Sequence, residues 1–466
     1  MIVSDRRQFL RATGSAFAAL AASGCATGEL AGIRTAGSYG PLIPDPAALI
    51  DLPAGFTYRV ISKLGDPMAD GGTVPDRADG MGCFDLGGGK LALVRNHELQ
   101  VQHDGGGAHG AAYDTVARSL VPLPGGTTTL VLDAPKLEVE RQFRSLSGTI
   151  RNCAGGVTPW GSWLTCEEDV SNPGARINKA HGWVFEVPAN ATGPVDPVPL
   201  TAMGRFNHEA ACVDPAIGIV YETEDRNDGL LYRFLPDERG NLAAGGRLQA
   251  LAIDGVPDAR NWEALAFAPQ GWHAVRWVDL DNVEAPEDDL RRRGAAAGAT
   301  LFARGEGIWM GEGELFFACT SGGAAKLGQI FRLRPQQGAP DRLQLFFEST
   351  DIAQFNFGDN LTVAPNGHLI VCEDAYSETV ANRIIGLTPG GDPYAQALLH
   401  EQTELAGACF SPDGKILFVN VYSPAKTLAI TGPWEALARD HLDRRDGEHR
   451  GEGVAHEILV DATGHE

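Results

Sequence analysis

Apolar positions in this chain fall in short runs, each opened by a turn and closed by polar or acidic residues. Six stretches share the plan: GGGKLALVRNHE (87–98), GSWLTCEED (161–169) with GWVFEVP (182–188), GIVYETEDRNDGLLYRFLP (218–236), GELFFACTSGGAAKLGQIFRLRP (313–335), NGHLIVCEDAYSETVANRIIGLTP (366–389) and DGKILFVNVYSPAKTLAITGP (413–433). Glycine supplies the turn, the first strand ends in polar groups, and a second strand follows. Strand ends recur about every 50 to 70 residues, with one interval near 100. Six units of this kind without helical periodicity predict an all-β chain folded as a six-bladed β-propeller with inserted loops; a pair of β-sandwiches is the alternative. The long interval contains WVDLDNVEAPEDDLRRRGAAAGAT (277–300). There Glu287, Asp288 and Asp289 lead into Leu290 and three arginines, which predicts a short helical insertion over one face.

The first residues change the picture of where the chain works. SDRRQFLRATGSAFAALAASGCA pairs Arg6 with Arg7 ahead of an Ala-rich apolar run too short to span a bilayer. This is the twin-arginine export pattern, so residues 1–30 are expected to be a signal peptide handled by the twin-arginine machinery, which carries folded proteins. Ala22, Ser23 and Gly24 before Cys25 also resemble a lipoprotein site, with a possible lipid anchor there. The mature protein is then periplasmic or secreted, a monomer, with a domain over 40–435 and a C-terminal extension over 436–466.

Composition is that of a globular chain: 43% hydrophobic and 21% charged, with 58 Gly and 28 Pro favouring many short strands. A net charge of −22 repels nucleic acid and anionic lipid, which argues against polyanion partners. The eight cysteines do not read as a disulfide framework. Cys166, Cys319 and Cys372 each close an apolar strand and read as core residues, whereas Cys153 lies on the glycine-flanked turn CAGG.

Radial blades bring equivalent strand ends to one mouth of a central channel. His97 with Glu98, Glu167 with Glu168, Glu224 with Asp225, and Glu373 with Asp374 occupy that position in four units, while His208–Glu209 and Arg304–Glu306 lie on loops leading into two of the blades. Carboxylates so close cannot all stay ionised without cations between them. The thiolate of Cys153 is a soft ligand suited to iron or zinc and the carboxylates are hard ligands suited to calcium, so more than one kind of ion is expected. No serine or threonine in these motifs has a base beside it, and GGGK (87–90) lacks the spacing of a phosphate-binding loop. His97 and His208 are candidates for a general acid or for scaffold.

These motifs carry a specific resemblance. RNHE (95–98), CAGG (153–156), TPWGSWLTCEE (158–168), GRFNHEA (204–210), YETED (221–225), RGEGIW (304–309), GDNL (358–361), CED (372–374) and ELAGACFSPDG (404–414) resemble, in this order, the PhoX family of exported alkaline phosphatases. The resemblance implies a six-bladed propeller whose channel mouth holds an oxo-bridged pair of ferric ions with calcium ions, hydrolysing phosphate monoesters. It implies Cys153 as an iron ligand; Glu167, Glu168, Glu209, Asp225, Glu306, Glu373 and Asp374 as metal ligands; and Arg304 as the catalytic arginine on the phosphate oxygens. Fe3+ and Ca2+ there would neutralise charge in the transition state, and Arg304 would add bidentate hydrogen bonds. Two other functions fit an acidic propeller mouth: calcium-dependent hydrolysis of lactones or esters, which needs no thiolate, and a non-catalytic calcium-binding propeller.

Overall fold

The computed structural model describes residues 38–107, 110–375 and 381–437. The twin-arginine segment, Cys25 and the extension beyond residue 437 lie outside these residues. Within them the chain forms six antiparallel sheets, each begun by an inner strand: Ala78–Gly87, Asn152–Val157, His208–Val213, Gly305–Met310, Gly358–Val363 and Leu405–Phe410. Each inner strand packs against the next, and the last packs against the first, so the six close into a ring. This is the expected six-bladed propeller.

The second strands, Lys90–His97, Ser162–Glu167, Val220–Glu224, Leu315–Cys319, Leu369–Glu373 and Ile416–Val421, are the apolar runs read from the sequence. Nearly every residue in them is buried, because a blade is covered on both faces by its neighbours. Leu164 and Cys166 of blade two meet Phe206, Tyr232 and Phe234 of blade three in one cluster. Cys319 and Cys372 are fully buried as well, and none of the described cysteines is in a disulfide.

The units depart from uniformity in five of the six blades: blade four gains Trp272–Ala274, and blade five gains Ile50–Pro53 and Leu42–Ile43, as outer strands. Blade two has three strands, ending at Val184–Pro188. Blade three gains Arg276–Asp279 as an outer strand, followed by the helix Leu290–Ala296. Leu290 buries against the blade-three cluster, while Arg291 pairs with Asp228 and Asp288, so the insertion does cap this blade. Blade six is completed from the other end of the chain: Thr57–Lys63 pairs with Lys426–Thr431, setting Val60 opposite Leu428. Closing the ring this way leaves no open inner edge for another chain to pair with.

Leu428 is fully buried in that closing sheet. Leu428→Ala is expected to cost about 2–5 kcal/mol, read as a lowered urea midpoint.

Candidate metal centre

One local device repeats around the ring. Near the mouth each of the first five inner strands carries a bulge, between Ala78 and Met81, Asn152 and Gly155, His208 and Ala211, Gly305 and Ile308, and Gly358 and Leu361. A bulge leaves residues unpaired and re-aims a side chain. Its first unpaired residue is Asp79, Cys153, Glu209, Glu306 or Asp359. The next is Gly80, Ala154, Ala210, Gly307 or Asn360, mostly small, because adjacent inner strands approach there: a Cβ on Gly80 would lie 2.5 Å from the Cα of Ala154.

The second strand then delivers a partner. The backbone N–H of Glu98, Glu168, Asp225, Thr320 and Asp374 donates to the carbonyl two residues before each bulge ligand, on Arg77, Arg151, Asn207, Arg304 and Phe357, at 3.0, 2.9, 3.2, 3.1 and 2.9 Å. Four of the five residues whose carbonyls accept these bonds, Arg77, Arg151, Arg304 and Phe357, sit at positive φ, a backbone cost repeated at one site in the fold. In blade six Tyr422 N–H donates to Glu404 at 3.2 Å. There the bulge falls one residue later, and Glu404 itself brings the carboxylate to the mouth.

Four sets of ligand atoms lie within 4.8 Å of one another: Glu98, Cys153 and Glu168; Asp79, Glu98 and Glu404; Asp359, Asp374 and Glu404; and Glu209, Glu306 and Asp359. Shared Glu98, Glu404 and Asp359 join them into one cluster. The expected ligands Cys153, Glu168, Glu209, Glu306 and Asp374 are thus brought together. Asp225 joins them through Arg304, whose Nε and Nη2 reach its two carboxylate oxygens at 2.6 and 3.0 Å and whose Nη2 also reaches Glu306 at 2.8 Å.

Glu167 and Glu373 do not join the cluster, a correction to the expected ligand set. Successive strand residues face opposite ways, so only one of each acidic pair can turn to the channel. Glu167 accepts the N–H groups of Ile150 and Gly182, both at 2.9 Å, and faces His181 Nδ1 at 2.6 Å. Glu373 accepts Asn356 N–H at 2.8 Å and is gripped by Arg383. Both tie the loop before the bulge to the third strand. His97 does the same with the Asp76 carbonyl at 2.9 Å, and His208 is bonded to Gly204, so both histidines are buried scaffold. Glu209 and Glu306 lie within strands, where the sequence had suggested loops.

Asp79, Glu98, Asp359 and Glu404 also lie in the cluster, although the sequence did not single them out as ligands. Asp359 and Glu404 stood inside quoted motifs and Glu98 ended the first unit. Of these only Asp79 carries a signal shared with the expected residues, an acid or thiol directly before a small residue at the start of an inner strand, as ADG shares with NCA, HEA and GEG.

Nine carboxylates therefore crowd against three guanidiniums, those of Arg77, Arg151 and Arg304. Burial and then the neighbouring Asp225 and Glu98 push Glu168 up to about 8, despite Arg151 beside it. Burial with mutual repulsion likewise raises Asp79, Glu209, Glu306, Asp359 and Glu404 well above the usual carboxylate range. Cys153 rises for the same reasons, burial first and then Asp79, Glu209, Glu98 and Glu168. Glu209 keeps one buried oxygen with no protein partner. Such a set fits bound cations, which invert this logic by favouring the ionised ligands.

A family model for alkaline phosphatase PhoX matches residues 37–425. The chain belongs to the PhoX alkaline phosphatase family. Among solved structures, PhoX of Pseudomonas fluorescens, in complex with the transition state analogue vanadate, superposes with a TM-score of 0.63 and 19% identity, covering 83% of this chain and 96% of that one. That likeness carries the PhoX propeller fold. A gluconolactonase, XC5397 from Xanthomonas campestris, aligns at a TM-score of 0.39 and 14% identity over 84% of this chain and 98% of its own. Comparison with curated proteins gives no match. As a PhoX member the chain is a phosphatase, and its family is metal-dependent.

The raised carboxylates fix a sign. A carboxylate titrating near 8 when folded and near about 4.3 when unfolded keeps a proton that the unfolded chain has lost. Stability of the ion-stripped protein is therefore fullest below the unfolded value and falls as pH rises towards 8. Urea midpoints should drop between about pH 5 and 8 without metal, and stay level or rise once metal is restored.

Proposed function

We propose that the cluster holds ferric iron and calcium and hydrolyses phosphate monoesters after export to the periplasm or beyond. The observation that carries this reading is the set of four ligand groups linked by shared carboxylates, in which one thiol is present among eight acids. A thiolate favours iron, and groups made only of carboxylates favour calcium. Bound there, the ions supply Lewis-acid charge against the phosphoryl oxygens and an acidified nucleophile.

The chain's own groups complete the site. Asp225 and Glu306 hold the Arg304 guanidinium in a fixed plane, leaving its Nη1 edge outside those bonds to meet a phosphoryl oxygen. Arg151 is held between Glu98 at 2.7 Å and Glu168 and presents a second cation. Tyr422 donates its hydroxyl hydrogen bond to Glu98 and accepts one from Arg77 at 2.7 Å, fixing the carboxylate shared by two ligand groups. In such a transition state positioning and charge do most of the work.

A single-calcium esterase would leave Cys153 without a task, and a non-catalytic propeller would hold metal without turnover. Export by the twin-arginine route fits a site loaded before secretion, with Arg6 and Arg7 as its signal and Cys25 as a possible anchor. No helix among the described residues is long and apolar enough to cross a membrane.

Removing calcium with a chelator should abolish phosphate release from a monoester, and added calcium should restore it; full activity without calcium would sink the site. Glu168→Gln removes a ligand charge and should cut kcat at least about 100-fold with circular dichroism unchanged, whereas Glu167→Gln should act on stability, by about 1–3 kcal/mol, with metal content kept. Cys153→Ser should lose iron and the visible thiolate-to-iron absorption, while Cys166→Ser keeps both. Equal iron in wild type and the Cys153 variant would remove the thiolate-bound iron.

A further inference from the structure

Beside the cluster, between blades one and two, lies a cavity of about 430 Å³. Its walls are the segments that directly follow two ligands: Gln100 to Gln102 after Glu98, and Asp169 to Ile177 after Glu168. Arg151 forms the shared wall. Its guanidinium touches Glu98 and Glu168, so one side chain is common to the cavity and to the surroundings of the ligand group that contains Cys153.

The lining has a definite chemistry. Arg176 Nη2 donates to Gln102 Oε1 at 2.8 Å, and Gln102 Nε2 donates to Gln100 Oε1 at 2.7 Å, a relay that leaves the Gln100 amide N–H groups at its end. Across from it Asn172 is held by Arg205 Nη2 at 3.0 Å, and one oxygen of Asp169 accepts Ser171 N–H at 2.7 Å. Val101, Ile150 and Ile177 supply a small apolar floor. No lining residue is aromatic, so the cavity offers nothing on which a nucleobase or phenyl ring could stack. Its apolar area is too slight for an acyl chain. Amide, carboxylate and guanidinium groups above a patch of aliphatic carbon match a molecule with adjacent hydroxyls on one side and C–H groups on the other.

We propose that this cavity binds the alcohol portion of a sugar or polyol phosphate, whose phosphoryl group lies at the ligand group of Cys153, Glu98 and Glu168. The proposal rests on the phosphatase reading and names its substrate class. Gln102 and Arg176 set specificity through hydroxyl contacts and take no part in holding the ions.

The test compares the metal-loaded wild type with Gln102→Ala and Arg176→Ala on glucose 6-phosphate and on p-nitrophenyl phosphate, whose leaving group has no free hydroxyl on carbon. Each variant should lose about tenfold in kcat/KM for glucose 6-phosphate, through KM, and less than about twofold for p-nitrophenyl phosphate. Calorimetric binding of the non-hydrolysable methylene phosphonate analogue of glucose 6-phosphate, against phenylphosphonate, reads the same preference without turnover. If neither ester is cleaved but wild type alone prefers the sugar phosphonate, the phosphatase reading fails and the cavity's role stands. Variants that treat both esters and both phosphonates as the wild type does, or weaken them equally, overturn the proposal.

Discussion

Nine carboxylates gathered at one mouth, six of them buried and eight joined in linked groups, are the constraint around which this propeller is arranged. Such a group is unstable by itself: burial and mutual repulsion raise Asp79, Glu168, Glu209, Glu306, Asp359 and Glu404 above the usual carboxylate range. Three arginines offset part of the repulsion, and bound cations would complete the neutralisation. The ring provides what the ions need, a rigid frame that keeps ligands converged although their own charges drive them apart.

The frame works because every blade solves the same problem in the same way. A bulge turns one side chain of the inner strand into the mouth, and the end of the second strand is bonded back to the carbonyl two residues before it. The residue just before that second ligand points the other way and ties down the loop, as Glu167, Glu373 and His97 do. Acidic pairs are thus a division of labour between the channel mouth and the backbone. Where a blade departs from the pattern the chemistry of the mouth changes, with Thr320 in blade four and Tyr422 in blade six in place of an acid.

Much of this was legible in the chain itself. Short apolar runs between glycine turns announced six blades, and the acidic pairs at their ends announced the mouth. Strand alternation, applied to EE and ED, would also have said that only one member of each pair can face the channel, which separates Glu168 from Glu167 and Asp374 from Glu373. Less visible were ligands that depend on a bulge. ADG at 78–80 reads as a turn, and only the two-against-one pairing of Ala78 and Met81 with His97 and Arg95 reveals that Asp79 is turned inward. Closure by Thr57–Lys63 was hidden for another reason: its partner lies more than 360 residues away, and no local pattern reports it.

The central claim is that one cluster holds two kinds of ion, a soft-ligated iron at Cys153 and hard-ligated calcium among the acids. Elemental analysis of active protein purified from a periplasmic fraction tests it most directly. The account predicts iron and calcium together in the same protein, each at or above one ion per chain. Active protein that contains neither metal, or calcium without iron, would contradict it.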